Sequence, residues 1–445
     1  MKQIIITTVL TFGLLGPVAA QEKVWTMNDC MRYAVENSPK VRQQIYTNNT
    51  YKAEHQSAIT SFLPSVSTST SAQFNYGRAV DPKTNTYTNT STFNNGYNAN
   101  MSMTLFSGGQ LINQWRLANT NIHMGKNDLQ KQKDDLSINV MAAFVDVVYF
   151  NGMVKMYAEK LEESQRTLYK TKRQEELGLK GKADVAQIES QVASDDYNLT
   201  HQQNLYNTAV MTLKNSMNFP ADSVLPIDMM VDKVSYLFET EPADAIFDRA
   251  ADTNPTAVQA AFQVKTSKLN YLIMKGRLLP TISFGAGIYT SYFKDLKADE
   301  SPEPFKDQFK NNQGKNLQFS LSFPLFDGLY RVTNMRRARN NMRIAYERQT
   351  EVLRQLQTDI EQAVLDREGY AKEANKMEKK VEADALAYQV TLRKYEEGLM
   401  SPIDVQTSAN TLLLSKADLL QKRLLYRVKC KLVDYYKGKP LVADN

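Results

Sequence analysis

The chain has 445 residues, 42% of them hydrophobic, with 54 Lys and Arg set against 48 Asp and Glu. That mild excess is spread along helical patterns and gives no case for a nucleic-acid partner. Only 18 Gly and 14 Pro in this length leave room for few loops, so long continuous elements are expected.

The first segment, Met1 to Ala20, has Lys2, an apolar run from Ile4 to Leu15 and small residues at Val18-Ala-Ala20. It reads as a secretory signal peptide. No Cys follows closely enough for lipid attachment, since the first is Cys30. No other run of about 18 apolar residues marks a transmembrane helix. Cys30 and Cys430 lie at opposite ends of the chain and could meet as a disulfide or stay as two small buried thiols.

The remainder is written twice. Asn-Ser-Pro39 and Thr-Asn-Pro255 differ by 216 residues, as do Phe62-Leu-Pro64 and Leu278-Leu-Pro280; Leu105-Phe-Ser-Gly108 and Leu325-Phe-Asp-Gly328 differ by 220. This predicts a first repeat over 21–217, a connector over 218–241, a second repeat over 242–437 and a tail over 438–445. Each repeat opens with an amphipathic helix, Met27 to Ser61 and Ala243 to Leu278, which a Leu-Pro pair stops.

The period then changes from helical to two. Leu317, Phe319, Leu321 and Phe323 alternate with Gln318, Ser320 and Ser322; Ile282, Phe284, Ala286 and Ile288 alternate likewise, as do Met101, Met103 and Leu105. Val66 to Tyr76 is a weaker match. These spacings predict β-hairpins over 65–106 and 281–326, with polar loops at Gly77–Asn95 and Lys294–Lys315. Strands of about ten residues with one apolar face fit a transmembrane barrel. A sheet packed on a soluble core alternates in the same way. The signal peptide and the aromatic strand ends favour the barrel. About eight strands are the fewest that close one, so several copies must share it.

Past each second strand runs the longest helical pattern of the repeat. From Trp115 through Ala118, Ile122, Gly125 and Leu129, and on from Leu136 to Leu161, apolar or small residues recur in fours and threes. This is a coiled-coil seam, and the roughly 65 residues it occupies would span about 100 Å. Met335, Ala338, Met342 and Ala345 begin its partner. Both seams end at matching tips: Glu175-Glu-Leu-Gly-Leu-Lys-Gly-Lys-Ala-Asp-Val185 and Tyr395-Glu-Glu-Gly-Leu-Met-Ser-Pro-Ile-Asp-Val405. Gly178 and Gly398 accept the left-handed turn that ends a helix, while Asp184 and Asp404 suit the start of the next. Helix capping alone explains an Asp there, and hairpin packing alone explains Leu179 and Leu399. An apolar side chain at the end of a rod nevertheless invites a partner.

The order of helix, Leu-Pro, strand pair, Phe-x-Gly, long helix, Gly-x5-Asp-Val tip and return helix, given twice, resembles the TolC family of outer membrane efflux proteins. The resemblance implies a mixed α/β membrane protein in the bacterial outer membrane with a long periplasmic extension. In it a homotrimer closes a twelve-stranded transmembrane β-barrel on an antiparallel coiled-coil α-barrel, taking substrate from an inner-membrane transporter through a periplasmic adaptor. It assigns Gly178, Leu179, Gly398 and Leu399 to adaptor docking, and Asp184, Tyr395 and Asp404 to the periplasmic constriction. Met400 and Thr407 stand where the best-known members carry an Arg and an acid, which removes an Asp-to-Arg latch and leaves an Asp184–Tyr395 hydrogen bond. No cofactor is implied, and His55, His123 and His201 lack the spacing of a metal site. The alternatives are a periplasmic coiled-coil scaffold and an outer-membrane adhesin binding through the Gly77–Asn95 loop.

Overall fold

The computed structural model describes residues 24–80, 85–229, 236–237, 239–297 and 303–442. The predicted signal peptide lies outside them, as do residues 230–235 and 238 of the connector and the last three of the tail.

Two helices of equal length set the frame. α3 (Gln110–Glu176) and α8 (Tyr330–Glu396) have 67 residues each, about 100 Å at ~1.5 Å per residue. α4 (Lys182–Met217) and α9 (Pro402–Tyr436) return along them for only 36 and 35 residues. The half nearer the strands is covered by α2 (Pro39–Thr60) and α6 (Pro255–Gly276), preceded by the short α1 (Met27–Asn37) and α5 (Ala243–Thr253). There α2 packs on α3, α3 on α6 and α6 on α8, a layer with α2 and α8 at its edges.

The single opening helix predicted for each repeat is in fact a pair. Ser38 (φ −67°, ψ 127°) and Asn254 (φ −68°, ψ 128°) are extended, and Pro39 and Pro255 start the second helix of each pair. A following Pro drives its neighbour out of the helical region and offers no N–H, so the first helix must stop and a new one begin. Asn254 then caps α6, its side chain accepting from the Thr256 N–H at 3.0 Å.

The core sits midway along the rods. Val140, Met141, Phe144 and Val147 of α3 pack with Met31 of α1, Leu213 and Met217 of α4 and Leu424 of α9. A second cluster joins Ile246 and Ala250 of α5 to Leu356, Ile360 and Ala363 of α8. This explains why α3 contains one stretch long and apolar enough to cross a membrane by composition: it faces α1, α4 and α9. Glu239 of the connector is buried against this girdle, paired with Arg367 of α8 and with Lys437 at 2.5 Å. Burial opposes its charge, but the Lys437 ammonium, a backbone N–H and Arg367 prevail and hold its pKa down to about 2. Cys30 is buried and Cys430 half-buried, and they form no disulfide.

β1 (Ser65–Val80), β2 (Tyr87–Ser107), β3 (Thr281–Asp295) and β4 (Gly314–Ser322) form one antiparallel sheet in that order. The register lines up the alternating faces. Val66, Met101, Ala286 and Leu317 fall in one row across all four strands, and Phe284 meets Phe319 with ring centroids 4.9 Å apart. Leu317, Phe319 and Leu321 remain exposed.

The predicted Gly77–Asn95 loop is mostly strand. Gly77 pairs with Thr90, and Asn and Thr continue the ladder, because cross-strand pairing outweighs the weak strand preference of Asn. Within the predicted Lys294–Lys315 loop lies α7 (Phe305–Asn311). Its Gln308 side chain accepts from the Phe293 N–H at 2.9 Å and donates to the Phe293 carbonyl at 3.0 Å. Gly108 and Gly276 tie sheet to helices; a methyl on either would collide with the other's backbone oxygen.

Candidate functional site

Each long helix ends in the same left-handed turn. Gly178 (φ 75°) and Gly398 (φ 81°) are the turn residues. The N–H groups of Gly178 and Leu179 reach back to Glu175 and Gln174 at 2.8 Å each, and those of Gly398 and Leu399 to Tyr395 and Lys394 at 3.0 and 2.8 Å. This pair of hydrogen bonds satisfies carbonyls that a helix end leaves open, and Gly adopts the turn without strain.

Three residues later the chain turns back. Asp184 and Asp404 are the third residues of α4 and α9 and do not occupy the capping positions, which Gly181 and Ser401 hold. The Asp184 carboxylate accepts from the Gly181 N–H at 3.1 Å. That of Asp404 accepts from the Ser401 N–H at 2.9 Å and from its hydroxyl at 2.7 Å. These hydroxyl and backbone bonds hold the Asp404 carboxyl below the usual range. Both acids thus have a structural duty within one chain.

Tyr395 is 2% exposed. Its hydroxyl pairs with Thr171 of α3 at 2.8 Å, so the partner is Thr171 and not the Asp184 expected from the sequence. Thr171 also donates to the Thr167 carbonyl at 2.9 Å, which leaves Tyr395 as the donor of the shared bond. Burial pushes the phenol pKa up; the Thr171 bond lowers it and the Asp184 charge raises it. Lys180, from the other tip, stands 4.4 Å above the Tyr395 ring centre, and Lys170 meets Glu396 at 2.5 Å. The two hairpin ends are therefore clasped through α3 and α8. Thr171 was missed, although its sequence signal exists: Thr391 stands 220 residues on, at the matching place before the second tip.

Leu179 and Leu399 are 70% and 71% exposed. Leu177, 74% exposed, joins them and was not foreseen.

Further along the hairpins a polar cluster is sealed between α3, α4 and α9. Lys160 meets Asp195 at 2.8 Å and donates to Asn410 at 2.5 Å. Gln191 also donates to Asp195 at 2.7 Å. The second Asp195 oxygen has no hydrogen-bond partner, so Lys160 carries the burden of a buried carboxylate. Nearby Tyr388 is pushed up by burial and by the Glu163 carboxylate.

The outer membrane efflux protein family model matches residues 31–218 and 246–429. No curated protein matches the sequence. Among solved structures, the outer membrane protein VceC of Vibrio cholerae is similar at a TM-score of 0.78 and 15% identity, over 93% of this chain and 96% of that one. The CmeC outer membrane channel of Campylobacter jejuni gives 0.78 and 14%, over 94% and 87%. The open-state MtrE outer membrane channel of Neisseria gonorrhoeae gives 0.73 and 18%, over 94% and 90%. These likenesses concern the fold, whereas the family match spans both halves of the sequence: the chain belongs to the outer membrane efflux protein family.

Proposed function

We propose that three copies of this chain form a passive export duct of a tripartite efflux or type I secretion system. The carrying observation is an open four-stranded sheet, apolar on an exposed face, mounted on two 67-residue helices. A sheet edge cannot stay unpaired in lipid, so β4 of one copy pairs with β1 of the next until twelve strands close. The helices then continue as a periplasmic tunnel, with 21–217 and 242–437 as two copies of one structural unit. Outer membrane lipid surrounds the sheet.

The tips are the inner mouth. Gly178 with Leu179 and Gly398 with Leu399 offer apolar ends to a periplasmic adaptor, which links the duct to an inner-membrane transporter. Asp184, Tyr395 and Asp404 set the closed state, Tyr395 through Thr171 and the two acids by fixing where α4 and α9 begin. The duct moves substrate without chemistry of its own. Fractionation tests this: the mature chain is expected in the outer membrane, as a slowly migrating trimer on gels that boiling converts to the faster single chain. Recovery as a soluble periplasmic monomer would refute it and favour a scaffold.

A further inference from the structure

The mild overall charge conceals a local one beside the sheet. α6 carries Lys265, Lys268 and Lys275 with no carboxylate, and Arg277 follows it. The start of α8, Tyr330 to Tyr346, carries Arg331, Arg336, Arg337, Arg339 and Arg343, again with no carboxylate. Among the described residues only Arg331 of these five has an ionic partner, Asp327 at 3.2 Å. Arg336, Arg337, Arg339 and Arg343 are all exposed. In the tip half several basic residues do meet acids, as Lys170 meets Glu396 and Lys172 meets Glu189.

Helix stability does not ask for this pattern. Arg336 with Arg339, and Arg339 with Arg343, are like charges at three- and four-residue spacing, each costing a few tenths of a kcal/mol. The same stretch of α8 meets α6 along a groove of about 610 Å³. Arg277, Arg337 and Arg348 line it together with Asn270, Asn334 and Asn341, so fork-shaped guanidinium donors and amides share one concave surface. Ring closure would not neutralise it. α2, at the other edge of the layer, has Lys40, Arg42 and Lys52 against Glu54 alone. The strands hold Asp295 as their one carboxylate, against Arg78, Lys294 and Lys315.

We infer that the section of the duct next to the sheet attracts anions and favours their passage over that of cations. This rests on the duct reading above. A conduit lined with one sign of charge between low-dielectric walls focuses its field and raises the local counter-ion concentration, and rings of Arg or Lys are the usual basis of anion selectivity.

The test is the reversal potential of the purified full-length protein in planar bilayers under a KCl gradient. It is measured in the wild type and in a Tyr395→Phe background, so that a shut gate is not mistaken for absent conduction. Chloride is expected to be the more permeant ion. The preference should shrink at high salt, because the Debye length falls from about 10 Å at ~0.1 M to about 3 Å at ~1 M. Replacing Arg336, Arg337, Arg339 and Arg343 together by Gln, which keeps helix propensity, should lower the chloride-to-potassium permeability ratio about twofold or more. Potassium selectivity, or a ratio unchanged by the four substitutions, would overturn the inference and place the guanidinium groups outside the conduction path. Absence of any conductance step in either background would instead bring down the duct reading itself.

Discussion

Replacing Tyr395 by Phe removes one hydroxyl and leaves the ring in place, with Lys180 still above it. The bond lost is the buried 2.8 Å contact to Thr171. Thr171 keeps its bond to the Thr167 carbonyl, so no donor is orphaned and the cost is the net value of one hydrogen bond, about 1 kcal/mol. In the proposed trimer, three copies around one mouth bring this to about 3 kcal/mol, roughly a 100-fold shift in the opening equilibrium. Single-channel recording in planar bilayers should show open probability rising by about that factor. Thr171→Val should raise it at least as much, because it also leaves the buried Tyr395 O–H without an acceptor, and the double variant should fall well short of the sum of the two, because both changes delete the same bond. Asp184→Ala should do much less, since its carboxylate is engaged by Gly181. Open probability in Tyr395→Phe equal to wild type, or full additivity with Thr171→Val, would refute the clasp.

Leu179→Asp together with Leu399→Asp should abolish co-purification with the cognate adaptor while leaving trimer formation and bilayer conductance intact, because both side chains are exposed. Lys160→Met strands the Asp195 carboxylate, which already lacks a partner on one oxygen, and should destabilise the tip half by about 3 kcal/mol; faster proteolysis near the tips reads this out. Glu239 has a folded pKa of about 2, below its ordinary 4.5, so it stabilises above pH 4.5 and that contribution is lost as pH falls from 4.5 towards 2. The thermal midpoint should drop over that window and flatten in Glu239→Gln.

The features legible in the sequence are those fixed by local backbone chemistry. Gly178 and Gly398, set where a polar–apolar helical pattern breaks, accept a left-handed turn without strain, and the apolar alternation around Leu317, Phe319 and Leu321 marks a one-sided strand. Pro39 and Pro255 were equally local signals, and they divide each opening segment because the residue before a Pro leaves the helical region. What could not be read depends on contacts distant in the chain. Asn and Thr beyond Gly77 look like a loop until the partner strand is known. α7 is held by Gln308 reaching back to Phe293. The Thr171 partner of Tyr395 lies 224 residues away, and the sequence offered Asp184 as a chemically plausible substitute. The arginine face of α8 was visible as residues, but its lack of partners emerges only once α6 and α9 are placed beside it.

The account stands on the open edges of β1 and β4 being closed by further copies of the chain. Light scattering on the detergent-solubilised outer membrane protein measures this directly, once the detergent mass is subtracted. The expected particle contains three chains of up to 50.6 kDa each before signal-peptide removal; a monodisperse single chain that still conducts would contradict it.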